Sequence, residues 1–495
     1  MTGREGAPRR IPIEVPAGGD LSDLLREYGV EFPCGGASSC GRCRVRVAEG
    51  DIAVTPGMRA VLTPRELAEG WRLACEARAH DHVTIEVEQW TGPILTDESP
   101  VAFESRQGSG IAIDLGTTTI AAQLLDLATG TVLAVRTALN PQCAYGTDVM
   151  SRVQFALREP GTLTRSIRQG LARTVHDLAA CREISEVLIC GNTVMHHLFC
   201  GEDVEPLSHV PFETSAGGAR EFAAEETGWQ LGRVCRVRFL PCLGGFVGSD
   251  VLAGMAAVEW LSLDGLNVFI DLGTNGEIVV GNRHRALCAS AAAGPAFEAG
   301  RIHMGMRAAP GAIARVKPAA TGFECHVLGG GAPCGICGSG LVDGVAAALQ
   351  MGHVQPTGRF ADGTKELKLM PSVAITQSDI RELQLAKGAI AAGLRILLAR
   401  WGARVDQVER VLLAGAFGNY VSAASACRIG LVEVEPEKIE QVGNAALRGT
   451  RTLLLAPGRR RDVIEQICRI TEHLSLASDP HFQEVFVDCM GFAPE

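Results

Sequence analysis

Apolar and polar positions alternate over IPIEV (11–15) and VTIEVE (83–88), the period-two signature of half-buried strands. Between them, LSDLLREY (21–28) spaces its leucines for one face of a helix. Thr63-Pro64-Arg65-Glu66 has the form of a capping box with Pro at the first helical position, which predicts a short helix just ahead of Cys75. From Gly110 onward the alternation gives way to continuous apolar runs, the mark of strands covered on both faces. GIAIDLGTTTIAAQLLDLATGTVLAV reads as strand, tight turn, strand, turn and strand, and NVFIDLGTNGEIVVGNRHRAL repeats that order more than 150 residues later. Such a repeat predicts two similar lobes facing each other. A further apolar strand, Val411–Leu413 in RVLLAGAFGNY, follows AKGAIAAGLRILLARWG, a helix whose Gly388, Ala392 and Gly393 allow close helix contact.

QWTGPILTDESPVAFESRQGSG (89–110) holds turn formers without a sustained period and reads as a linker. The expected division is therefore a small domain over 1–90, a linker over 91–109, a first lobe over 110–264 and a second lobe over 265–495. All of it belongs to a multidomain α/β class.

Composition narrows the field. The 495 residues exceed a single ordinary core, and 46% hydrophobic against 21% charged residues argues against general disorder. A net charge of −10 and only 5% aromatic residues exclude a general nucleic-acid binder. No run of about 18 apolar residues marks a membrane span, and MTGREGAPRRIPIEV lacks the apolar segment of a secretory leader. A cytoplasmic location is expected. In that reducing setting, closely spaced cysteines among the 17 point to metal rather than disulfides.

FPCGGASSCGRCRVRV places Cys34, Cys40 and Cys43 within ten positions, and Cys75 follows in RLACEAR. Three thiolates on a loop with glycines at 35, 36 and 41, and a fourth from a distant segment, can surround a [2Fe–2S] cluster, whose loop needs unusual backbone angles and amides near sulfur. The spacing is C-x5-C-x2-C, one residue longer than the plant-type first gap. Zinc is the competing occupant, but zinc ribbons carry two C-x2-C knuckles and Cys75 stands alone.

The two repeated turns carry a second chemistry. After Asp114 come Gly116, Thr117, Thr118 and Thr119, and after Asp271 come Gly273, Thr274, Asn275 and Gly276. Glycine lets backbone approach a phosphate, N–H groups and hydroxyls donate to its oxygens, and the aspartate holds hydrated Mg²⁺. Two such turns from facing lobes would clamp one ATP, and the strand opening onto Gly415 and Gly418 leaves room for its adenine and ribose. Other segments are open in meaning. Glu298 could line the cleft or simply lead into a helix. Asp250 could cap a helix or orient water. Cys334 and Cys337, a C-x2-C without a second pair, read mainly as packing. The adjacent His196 and His197 read first as structural or surface residues.

The N-terminal segment, through its four cysteines and their glycines, resembles the β-grasp ferredoxins of the adrenodoxin-like variant. The order of phosphate turn, phosphate turn, small-residue helix and glycine-lined strand resembles the actin-like, ribonuclease-H-like superfamily of acetate and sugar kinases and heat-shock chaperones. Taken together with NPQCAYGTDVMSRV, CGNTVMHHLF, AAAGPAFEAG, GICGSGLVD and VGNAALRG, the chain resembles the reductive activators of corrinoid-dependent enzymes. The resemblance implies ATP-assisted reduction of an inactive Co(II) corrinoid on a partner methyltransferase system to Co(I). It also implies an upstream electron donor, no nucleic-acid or membrane partner, and admits a homodimer. By carry-over, Asp114 and Asp271 act in catalysis beside phosphate and Mg²⁺, and Gly415 and Gly418 face the adenosine. The alternatives are an ATP-driven electron donor to another low-potential enzyme and a non-catalytic, nucleotide-gated redox sensor.

Overall fold

The computed structural model describes residues 9–15, 21, 43–79, 81–89, 101–146, 148–180, 182–231, 235–415 and 421–492. The expected helix over 21–28, save Leu21, lies outside these residues, as do Cys34, Cys40 and Gly418.

The strands β1 (Arg9–Val15), β2 (Arg44–Glu49), β3 (Trp71–Leu73) and β4 (Val83–Gln89) form an antiparallel sheet in the order β1-β4-β2-β3. The two alternating segments pair along their whole length, from Arg9 against Gln89 to Val15 against Val83. Val15, Val83 and Ile85 from these strands join a small core with Val45, Met58, Leu62 and Leu73. Thr63 caps the helix Pro64–Ala68 with the reciprocal Thr63–Glu66 bonds expected from the sequence.

The repeat builds two sheets of the same design. In the first, β5 (Ser109–Leu115), β6 (Thr119–Asp126), β7 (Val132–Leu139), β8 (Ile184–Gly191), β9 (Arg220–Ala223) and β10 (Arg236–Phe239) lie in the order β7-β6-β5-β8-β10-β9. The second lobe begins with β11 (Asn267–Leu272), β12 (Gly276–Gly281) and β13 (Ala286–Ala291). Two small sheets follow, β14 (Ala312–Pro318) with β15 (Phe323–Val327) and β16 (Gly335–Ile336), and β17 (Glu366–Met370) with β18 (Val373–Thr376). Then β19 (Arg410–Ala414), β20 (Ile439–Gly443) and β21 (Thr471–His473) complete the order β20-β19-β11-β12-β13-β21. In each lobe an antiparallel three-strand meander continues into two parallel strands, β8 and β10 beside β5, and β19 and β20 beside β11.

Side-chain alternation decides which way each strand faces. Ile111, Ile113 and Leu115 of β5 enter the outer core of the first lobe, and Val268, Ile270 and Leu272 of β11 enter that of the second. Ala112 and Phe269 turn the other way, into a core shared by both sheets. That shared core also holds the helices Ser249–Ala257 and Ala445–Leu455. The latter follows β20 of the second lobe yet packs onto β5 and β8 of the first. Where the two helices cross, a Cβ on Gly449 would lie 1.7 Å from the Ala253 carbonyl oxygen, so only glycine permits the approach. By the same alternation Asp114 and Asp271 point inward, toward this inter-lobe layer.

Candidate functional site

Cys43 and Cys75 stand side by side because β2 pairs with β3, Arg44 opposite Leu73, and the Ala74 amide donates to the Cys43 carbonyl at 2.7 Å. Their sulfurs are 3.3 Å apart. A disulfide would bring them to about 2.05 Å, whereas two thiolates on one tetrahedral metal with bonds of about 2.3 Å lie roughly 3.8 Å apart. The sulfurs are therefore too far apart for a disulfide and nearer to the spacing of two ligands on one metal ion. Cys43 is buried and Cys75 half-buried against the small apolar core, a setting that limits solvent at a cluster. Cys34 and Cys40 belong to the same predicted set but fall outside the described residues.

In the first repeated turn the Gly116 amide donates to the Thr119 carbonyl at 3.1 Å, and a Cβ on Gly116 would come within 2.5 Å of that oxygen. This is a position that needs glycine. Asn140 holds the turn from behind: its side chain donates to the Gly116 carbonyl at 2.9 Å, and its amide donates to the Thr118 carbonyl at 2.8 Å. Asn192 donates to the Thr117 hydroxyl at 2.8 Å. Thr119 begins β6 with an exposed side chain. In the second turn the Gly273 amide donates to the Asn275 carbonyl at 3.0 Å, and the Thr274 hydroxyl donates to Glu298 at 2.9 Å. Gly276 lies inside β12 under Ile390, whose side chain a Cβ would meet at 2.5 Å, so helix packing accounts for it. Gly415 has φ +93°, and a Cβ there would lie 2.5 Å from the Leu272 carbonyl and 2.7 Å from Asp271. It adjoins the second aspartate.

Four acids gather between the lobes. Burial raises Asp114 to about 6, against hydrogen bonds from Asn444 at 3.1 Å and from the Cys190 thiol. Burial, then the charge of Asp114, raises Asp271 to about 7. Asp250 is raised to about 8 by burial and by Asp271. Glu277, opposite Asp271 across β11 and β12, is also raised by burial and by Asp250 and Asp271. Like charges held together in a partly buried setting favour a cation among them. Among the described residues no three His, Cys, Asp or Glu side chains close on one point as direct ligands.

Local sequence did not mark every member. The helix Ser249–Ala257 is preceded by Gly248 at its cap, and Asp250 accepts from the Val251 amide in the first turn while its carboxyl joins the acids. It is not the cap. Asn192 and Asn444 each cap a helix through one side-chain atom and reach the site through the other. An asparagine directly ahead of an apolar run was the available signal in both CGNTVMHHLF and VGNAALRG. Glu298 lines the second turn instead of merely leading into a helix. His196 and His197 are fully buried, with ring nitrogens on the Gly218 and Thr193 carbonyls and the Thr214 hydroxyl. Cys337 is buried, while Cys334 is exposed and departs from a packing role.

Three family profiles tile the chain: a 2Fe-2S iron-sulfur cluster binding domain over residues 6–80, the "RACo middle region" over 109–261 and the "C-terminal domain of RACo the ASKHA domain" over 265–495. The corrinoid activation enzyme RamQ of Eubacterium limosum is 34% identical over 435 residues, spanning 80% of this chain and 72% of that protein. A [Co(II) methylated amine-specific corrinoid protein] reductase of Methanosarcina barkeri is 30% identical over 416 residues, spanning 76% of each. A solved structure, the reductive activator for a corrinoid, iron-sulfur protein, covers 97% of this chain and 96% of its own at 27% identity, with a TM-score of 0.71.

Proposed function

The chain belongs to the ferredoxin-fused, ASKHA-domain reductive activators of corrinoid proteins, and from that premise we propose how its residues divide the work. It is an enzyme that passes electrons to a partner corrinoid protein and draws on ATP to do so. The observation that carries this reading is the pairing, in one chain, of the adjacent Cys43 and Cys75 thiols with the half-buried Asp114 and Asp271 between two facing lobes.

A [2Fe–2S] cluster supplies a one-electron carrier when bound. Cys34, Cys40, Cys43 and Cys75 would hold it, two of them on one edge of the small sheet. The turns at Gly116–Thr119 and Gly273–Asn275 would take the phosphates through backbone N–H and hydroxyl groups, each turn fixed from behind by Asn140, Asn192 or Glu298. Asp114 and Asp271 would hold Mg²⁺ through water, with Asp250 and Glu277 adding to the field that retains it. Nucleotide turnover helps an uphill transfer only where the ATP and ADP states treat the acceptor differently, each tenfold bias being worth about 59 mV for one electron. The partner is a corrinoid protein in its inactive Co(II) state. Reduction by a separate upstream donor, a cytoplasmic location and assembly as a homodimer complete the proposal.

The test is a visible spectrum of methylamine-type and iron-sulfur-type corrinoid proteins mixed with this chain and a low-potential reductant, with and without MgATP. Co(I) absorption should grow only when both reductant and MgATP are present. Absence of Co(I) with every such partner, from a preparation with its cluster intact, would overturn the assignment.

A further inference from the structure

We propose that the helix Ala445–Leu455 is a lever that reports the state of the nucleotide site to the linker carrying the cluster domain. One end of it lies in the site. Its cap, Asn444, donates to Asp114 at 3.1 Å, and the preceding Gly443 carbonyl accepts from the Gly415 amide at 3.0 Å, beside Asp271. The other end holds the linker. The last carbonyls of a helix have no partner within it, and here the linker supplies two. The Glu104 amide donates to the Leu455 carbonyl at 2.8 Å, and the Arg106 guanidinium donates to the Leu454 carbonyl at 2.8 Å. The Glu104 carboxylate accepts from the Gly458 amide at 3.0 Å. Arg106 then meets the buried Glu186 at 2.8 Å, where Arg460 also binds at 2.7 Å.

Eleven residues at about 1.5 Å rise make a rod of roughly 16 Å. Its midpoint is pinned by the contact of Gly449 with Ala253, which leaves rotation about the crossing as the available movement. A hydrated cation at Asp114 competes with Asn444 for the carboxylate, and a nearby phosphate oxygen competes with that carboxylate for the Asn444 N–H. Occupying the turns therefore shifts the cap and loosens the hold on Glu104 and Arg106 at the far end. This differential contact is the requirement for coupling two sites.

The inference rests on nucleotide binding at the two turns, as proposed above, and its test separates the two. Calorimetric titration of the full, cluster-loaded chain with a non-hydrolysable ATP analogue and Mg²⁺ establishes occupancy. Hydrogen exchange then reads the Glu104 amide, which the Leu455 carbonyl holds. Analogue binding should speed its exchange by about tenfold or more. Asn444→Ser keeps a good cap but loses the reach to Asp114, and at saturating analogue its response should fall to about twofold or less. Coupling is reciprocal. Arg106→Ala, remote from the turns, should therefore bind the analogue tighter by a comparable factor. Tight binding with unchanged exchange in the unaltered chain, or an Arg106→Ala affinity equal to it, would overturn the lever. Failure to bind the analogue at all would overturn the nucleotide reading and the lever with it.

Discussion

His196 is buried between the rings of His197 and Phe239, and its Nε2 meets the Gly218 carbonyl at 2.9 Å. A carbonyl can only accept, so Nε2 carries the proton. Nδ1 has no partner among the described residues, so a second proton would be stranded in an apolar setting. Burial, with His197 and Arg220 nearby, accordingly lowers this imidazole from 6.5 to about 4. The sign follows from linkage. Between those two values the unfolded chain binds a proton that the folded chain refuses, so stability is complete above pH 6.5 and is lost as pH falls toward 4. At full depression this amounts to about 3 kcal/mol. Urea midpoints taken from pH 7 down to 4.5 should fall less steeply in His196→Gln, which keeps an N–H donor and cannot take the proton. Parallel slopes in the two proteins would show that His196 is not the group responsible. Acid-labile carboxylates such as Glu186, which burial would raise but Arg460, Arg238 and Arg106 hold below its usual value, contribute equally to both and cancel.

Among the elements, the two central helices set the tightest demand. Glycine inside a helix ordinarily costs about 1 kcal/mol relative to alanine, so Gly449→Ala would stabilise an ordinary helix. Here the added Cβ meets backbone, not the tip of a side chain, and the helices must part. The sign should reverse, with a loss of about 1–3 kcal/mol typical of overpacking, read as a lower urea midpoint at unchanged m-value. A gain in stability would refute the close crossing. How far the elements were legible depends on how local their causes are. The Thr63–Glu66 capping box, the paired strands β1 and β4 and both Asp-bearing turns were readable because each is written within a few residues. Asn444 was not, since it meets a carboxylate 330 positions away. What the glycines at 276 and 415 make room for was not legible either, because an absent side chain does not declare which neighbour requires the space. In the fold those neighbours are Ile390 for the first, and Asp271 with the Leu272 carbonyl for the second.

Over the whole molecule, separate cores imply separable functions. The core around Val45, Met58, Leu73 and Ile85 belongs to the small sheet alone, while the inter-lobe layer draws on both large sheets. Removing one cluster ligand therefore leaves the inter-lobe core and its acids intact. The prediction is specific to Cys75→Ala. That variant should lose iron and visible cluster absorption and yield no Co(I), because a carrier with a missing ligand no longer holds its electron. Its affinity for MgATP should stay within about twofold of the unaltered chain, the range expected for independent, distant sites. Iron analysis, the corrinoid spectrum and calorimetric titration measure the three quantities on one preparation. Retained Co(I) formation would remove Cys75 from the electron path, and lost nucleotide binding would show that the two units fold as one. A variant that hydrolyses ATP without reducing its partner would instead separate the ATPase from the electron path. The order of events would then have nucleotide chemistry setting the conformation and the cluster domain acting on it, which is the dependence a lever between the two requires.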